Sequence, residues 1–219
     1  MININDLYVS VRHFANKEQR GFISPTQFND FAARAVMESF MQKSLVFQSS
    51  QKISDDLRPF IKAVTVDVDS EGKLPYPEDY VHLSSVKYIR VVQVGGKTKK
   101  IPVELIPVDD NEIGYRLNSS IVAPDKEFPI MAYYDTYIKV YPEDLKRVEL
   151  TYLRQPVSPV WAFTSVNNRP VYDAANSVDI EFPKEMHNEL MVKILSYVGI
   201  NLREGELIQY AETKNQQGI

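Results

Sequence analysis

Apolar residues recur three and four positions apart at both ends of the chain, and in alternation through its middle. Ile4, Leu7, Tyr8, Val11 and Phe14 fall on one helical face, in a segment that Gly21 closes. GFISPTQFNDFAARAVMESF predicts a second helix, with Ser24 as N-cap, Pro25 at the first helical position and Gln27 reaching back to the cap. Ile23 and Phe28 are spaced as a hydrophobic staple around that cap. Phe28, Phe31, Ala32, Ala35, Val36 and Phe40 form the stripe behind it, expected to continue towards Phe47 and to pack on the C-terminal helices. Ser54 is placed to cap a short helix through Leu57, which Pro59 stops. At the far end, Pro183 opens and Gly199 closes a helix with Met186, Leu190, Ile194, Leu195 and Val198 on its stripe. A last helix is expected over residues 203–214, followed by a polar tail.

From Lys62 to Leu153 the pattern is that of strands. AVTVDV alternates, and KYIRVVQV is rich in β-branched and aromatic residues. VQVGGKTKKIPVEL reads as a hairpin turning at Gly95-Gly96, and PIMAYYDTYIKVYP as another turning near Asp135-Thr136. RVELTYLRQP is a final strand with Val148, Leu150 and Tyr152 on one face, and PYPEDYVHLSSV a small helical turn between strands. The order predicts an α+β fold. Residues 1–61 and 180–219 form a helical bundle, 62–155 an inserted antiparallel β domain, and 156–179 an irregular connector.

Composition narrows the function classes. The formal charge of -4 argues against a general nucleic-acid binder, whose footprint is a basic excess. There is no cysteine, which excludes disulfides, thiolate metal sites and cysteine nucleophiles. The start of the chain carries Asn3, Asn5, Asp6 and Arg12 without an apolar core, so no secretory signal is expected. No apolar run approaches the ~18 residues of a membrane span. The expectation is a soluble protein made in a cytoplasm.

Candidate chemistry is sparse. His13, His82 and His187 lie in different sections, and Glu185 is two residues from His187, a spacing that points to different sides of a helix. The acidic pairs Asp55-Asp56, Glu78-Asp79, Asp109-Asp110 and Glu143-Asp144 sit where helix starts and turns favour carboxylates. Neither G-x-G-x-x-G nor a phosphate loop nor G-x-S-x-G occurs. No catalytic residue, metal site or cofactor is therefore expected, and the chain reads as a non-enzyme.

Two features exceed what a self-contained globule needs. Lys97, Lys99 and Lys100 crowd one hairpin tip in an acidic protein, as a finger for a phosphate backbone or an acidic partner would. The chain also holds 13 Tyr and 10 Phe, with Tyr133, Tyr134, Tyr137 and Tyr141 in one short stretch. Tyrosine suits subunit interfaces because it buries area while keeping a polar tip. Trp161 and Phe163, in the connector, are placed to anchor it to its own domain or to a neighbour.

INDLYVSVRHFANKEQRGFISPTQFNDFAARA, SQKISDDLRPF, LPYPEDYVHLSSV, VELTYLRQPVSPVW and DIEFPKEMHNELMVKILSYVGINLREGELIQYAE resemble virion structural proteins of crAss-like, short-tailed bacteriophages. The helix–β–helix order is similar to that of head–tail adaptor proteins. The resemblance implies a homo-oligomeric ring of about twelve copies below the portal, continuing the double-stranded DNA conduit towards the next tail component. It implies residence in the virion at the head–tail junction, no membrane partner and no catalytic residues. Interface candidates are Tyr133, Tyr134, Tyr137, Tyr141, Trp161, Phe163, Lys97, Lys99 and Lys100, with Arg203 and Tyr210 in the segment expected to reach into the portal. Three alternatives stay open. One is a later tail ring. Another is a nucleic-acid module stacking bases on Tyr88, Arg90 and Tyr115 beside the lysines. The third is a hydrolase working through a carboxylate pair.

Overall fold

The computed structural model describes residues 1–17, 23–47 and 51–199 and has an α+β fold. Helices α1 (Ile4–Lys17), α2 (Pro25–Ser44) and α3 (Gln51–Leu57) come first. Strands β1 (Ile61–Asp67), β2 (Lys73–Pro75), β3 (Tyr80–Val94), β4 (Lys97–Glu104) and β5 (Ile106–Pro107) lead to α4 (Asp110–Leu117). Then come β6 (Ile130–Tyr133), β7 (Tyr137–Tyr141), β8 (Arg147–Arg154), β9 (Phe163–Val166), β10 (Arg169–Tyr172) and α5 (His187–Tyr197). The chain divides into two compact units, Met1–Pro59 with the chain from Pro156 onward, and Phe60–Gln155. Among the described residues, no helix is long and apolar enough to cross a membrane.

In the first unit α5 packs against both α1 and α2. The cap of α2 forms as its sequence dictates. Gln27 N–H donates to Ser24 Oγ at 3.3 Å, and Ser24 N–H to Gln27 Oε1 at 3.1 Å. The α1 stripe of Ile4, Leu7, Tyr8, Val11 and Phe14 is buried, as are Phe28, Ala32, Ala35, Val36 and Phe40 of α2. Phe31 is only half-buried, and α2 ends at Ser44 before the stripe reaches Phe47. On α5 the buried stripe is Leu190, Met191, Ile194 and Leu195.

Four expectations are corrected. Residues 156–179 are not an irregular connector, since they carry the hairpin β9–β10. Its two-residue turn, Asn167-Asn168, has φ of 51° and 58°, a left-handed conformation that asparagine tolerates. It follows that β8 is not the last strand. Ser54 lies inside α3 rather than capping it, because Ile53 and Leu57, four apart, already set the inward face from the first turn. The stretch after Pro77 makes only a tight turn before β3 begins at Tyr80. There the register shifts against β8 between Tyr80 and His82 and again between Leu83 and Ser85, which breaks the strand alternation a reader looks for. The helix expected over 203–214 lies outside the described residues.

The second unit is two four-stranded sheets, in the orders β1-β8-β3-β4 and β2-β7-β6-β5. Val86, Val148, Leu150 and Tyr152 of the first share one buried cluster with Leu74, Met131, Ile138 and Val140 of the second. Gly72 approaches the second sheet at φ +77°, where an added Cβ would meet the Val140 carbonyl oxygen at 2.7 Å.

One polar hub sits on this core. Asp79 accepts the Tyr152 hydroxyl at 2.6 Å and the Lys62 ammonium at 2.8 Å. Lys62 and then the tyrosine hold the Asp79 carboxyl below the usual aspartate range, and Asp79 in turn raises Lys62. A depressed carboxyl stabilises the fold above the unfolded aspartate value near ~4 and loses that contribution as pH falls through its folded value. Asp79→Asn should cost about 1 kcal/mol at neutral pH. The gap between variant and native chain should close in urea titrations as the pH falls through the folded Asp79 value. A gap that persists there would remove the charge from the explanation.

Candidate assembly surface

β3 has fifteen residues and serves two partners in succession. Tyr80 to Lys87 pair with β8, while Lys87 to Val94 pair with β4. The two pairings overlap only at Lys87, so beyond it β3 and β4 run on as a two-stranded ribbon. Seven residues at ~3.3 Å each carry the ribbon about 23 Å beyond the last pairing of β3 with β8. The sequence favours this by placing β-branched Val91, Val92, Val94, Ile101 and Val103 on the strands. Gly95-Gly96 sits at the tip, with φ of 59° and 78° matching the tight primed turn.

The root of this arm is braced. The Tyr88 hydroxyl donates to the Lys126 carbonyl, and Arg90 pairs with Glu127. The distal part is not. Val91 is 58% and Val94 60% exposed, and each stands directly opposite a lysine, Lys100 and Lys97 respectively. Among the described residues, the side chains of residues 91–100 make one hydrogen bond, Gln93 to Thr98, and it lies within the arm itself. Lys97, Lys99 and Lys100 are exposed and form no ion pair among the described residues. An isolated two-stranded hairpin is marginal in water. Here the sequence keeps a long one with apolar side chains uncovered.

The outer edge of β4 is not built for adding a strand. Three lysines and Pro102 lie along it, and edge lysines and prolines block backbone pairing. Contact with a partner would therefore run through side chains.

The other predicted interface residues separate into groups. Tyr133 is exposed, and Tyr134 stacks on Tyr137 at 4.9 Å and donates to Asp110 at 2.8 Å. That bond and burial push the Tyr134 phenol up to about 12. Phe163 is partly exposed beside Trp161. Tyr141 and Trp161 are corrections, because both are buried within their own units. Tyr141 joins Val108, Ile113, Ile130 and Ala132. Trp161 packs on Tyr8 at 4.3 Å and donates its indole N–H to Asn5 at 3.0 Å. Arg203 and Tyr210 lie outside the described residues.

The stacking platform considered for nucleic acid is largely taken up: Tyr88 is buried, Arg90 is paired, and only Tyr115 stands free to solvent. Each acidic pair has at least one member already engaged: Asp56 with Lys43, Asp79 with Lys62, Asp110 with Tyr134, Glu143 with Lys139. Among the described residues, no group of histidines and carboxylates has the geometry of a metal site.

What sequence reading missed is a second exposed apolar surface. Tyr115 and Leu117 of α4 and Ile121 and Val122 after it are all open to solvent, Ile121 at 90% and Tyr115 at 75%. Asn111, Glu112, Tyr115, Arg116 and Val122 line a groove of about 490 Å³ there. The signal was the run of apolar residues at 113, 115, 117, 121 and 122, of which only Ile113 turns inward. No protein-family model matches the chain, and no curated protein matches it in sequence.

Proposed function

We propose that this chain is a structural subunit of a short-tailed phage particle that closes into a ring between portal and tail. The observation that carries the reading is the arm of β3 and β4. It extends past its own sheet, leaves valines uncovered and bears three unpaired lysines. Such an element gains stability only when a neighbour covers it. The resemblance to head–tail adaptors supplies the kind of assembly, and the acidic balance of the chain suits a conduit through which DNA slides without being held.

The test is mass and symmetry of the purified chain, alone and mixed with portal, by native mass measurement and electron microscopy. A cyclic assembly of about twelve copies is expected. A chain that stays single under both conditions would dismiss the proposal. The uncovered lysines favour one other reading, a DNA-contacting arm; salt-dependent binding of single strands by the single chain is its signature.

A further inference from the structure

We infer that β1 accepts an extended segment of a different particle protein, laid beside it as a fifth strand of its sheet. This rests on the ring reading for the source of the strand; the open edge belongs to the second unit itself.

The backbone dictates what can bind. Val68 N–H donates to the Lys146 carbonyl at 3.0 Å, in step with the register that pairs Asp67 with Arg147 and Val66 with Val148. Bonded and non-bonded positions alternate in an antiparallel pair, so Lys62, Val64 and Val66 turn their peptide groups to β8. Ala63, Thr65 and Asp67 turn theirs outward. All three are exposed, and no turn, loop or side chain among the described residues bonds their N–H or carbonyl groups. Such a row of donors and acceptors is matched in full only by another extended chain.

Among the described residues, every other outermost strand is short or carries proline, as edges that refuse a partner do. β4 has Lys99, Lys100 and Pro102, and β10 has Pro170. β2 and β5 run three and two residues and end in Pro75 and Pro107, and β9 has four residues. β1 runs seven residues without proline or glycine. Both of its charges are engaged, Lys62 with Asp79 and Asp67 with Arg147, each at 2.8 Å.

Side chains complete the specification. Val64 and Val66 pack on the buried cluster yet stay half-buried, because the sheet stops at β1. A strand beside them covers both if it sets apolar residues at every second position on that side. No charge is asked of it. β1 of a second copy is the poorer match. Pairing two of them about a two-fold, with Ala63 opposite Thr65, sets Asp67 against Ile61 and Lys62 against Val66. That contact is isologous and closes at two copies without making a ring.

Amide exchange of the chain, free and in the assembled particle, tests the inference. In the free chain Val64 and Val66 should exchange slowly, and Ala63, Thr65 and Asp67 fast. In the particle the last three should slow at least about tenfold. Electron microscopy of the particle should show a strand of a different protein about 4.8 Å from β1. Thr65→Pro removes an N–H that β8 does not use, so the free variant should melt within a few degrees of the native chain. Its incorporation into particles, in competition with the native chain, should fall at least about tenfold. Particles in which the three amides stay as fast as in the free chain, or in which β1 borders solvent or a helix, overturn this inference and leave the ring reading standing. A strand supplied by a second copy overturns it too. A chain absent from every particle overturns both.

Discussion

A chain in which an Asn-Gly turn replaces Val91–Lys100, linking Arg90 to Ile101 through those two residues, should fold normally and fail to assemble. Arg90 and Ile101 face each other across the ribbon, so a two-residue primed turn fits between them just as Gly95-Gly96 fits between Val94 and Lys97. The braced root remains, with Tyr88 held by the Lys126 carbonyl and Arg90 by Glu127. From β3 and β4 the buried cluster of the second unit takes Val86 and Tyr88, with Tyr80, Leu83 and Val103 packed against it, and none of these is removed. Stability should therefore change by no more than about 0.5 kcal/mol, as for surface substitutions elsewhere. Assembly should weaken by at least about a hundredfold, since the excision takes away the uncovered valines and the three lysines together. Sedimentation velocity beside a urea melt reads both quantities. A shortened chain of native mass in solution would show that the arm is not the joint, whatever surface it was thought to meet.

The arm illustrates what a sequence discloses and what it withholds. Gly95-Gly96 between β-branched runs announces a hairpin, because turn chemistry and alternation are local properties. That the hairpin stands clear of its sheet is not local. It follows from β8 ending its pairing at Lys87, a register written jointly by two segments about sixty residues apart. The same limit explains Tyr80–Val86. Pro77 and Glu78 suggest a helix start, yet β8 offers a backbone partner and tertiary pairing overrides the local preference. α1, α2 and α5 were legible because a 3.6 period and a capping box need no distant information. Of the candidate site, the lysines were visible as charge out of place in an acidic chain. The face on α4 was not, since no local pattern says that Tyr115, Ile121 and Val122 turn outward together.

Trp161→Ala should cost the first unit about 3–5 kcal/mol and spare the second. The indole is 3% exposed, packed on Tyr8 at 4.3 Å and stacked with Tyr172 at 5.6 Å and Phe163 at 5.9 Å. Its N–H donates to Asn5 of α1. Asn29 of α2 clamps the same residue's backbone, accepting from Trp161 N–H at 2.8 Å and donating to its carbonyl at 3.2 Å. One side chain thus fastens the β9–β10 hairpin to two helices. Alanine keeps the clamp but removes the ring, leaving a cavity and an Asn5 oxygen without its donor. Against a total stability of about 5–15 kcal/mol, that loss is enough to separate the melting of the two units. Trp161 is the only tryptophan, so in the native chain its emission follows the first unit alone while far-ultraviolet dichroism follows both. In the variant, calorimetry takes the place of the lost fluorophore and should resolve an early transition from a late one that matches the native second unit. Trp161→Phe, which keeps much of the ring and forfeits the bond to Asn5, should fall between the two. A single unshifted transition for the alanine variant would mean that the hairpin contributes little to holding α1 and α2, and that Trp161 is free to serve a neighbour after all.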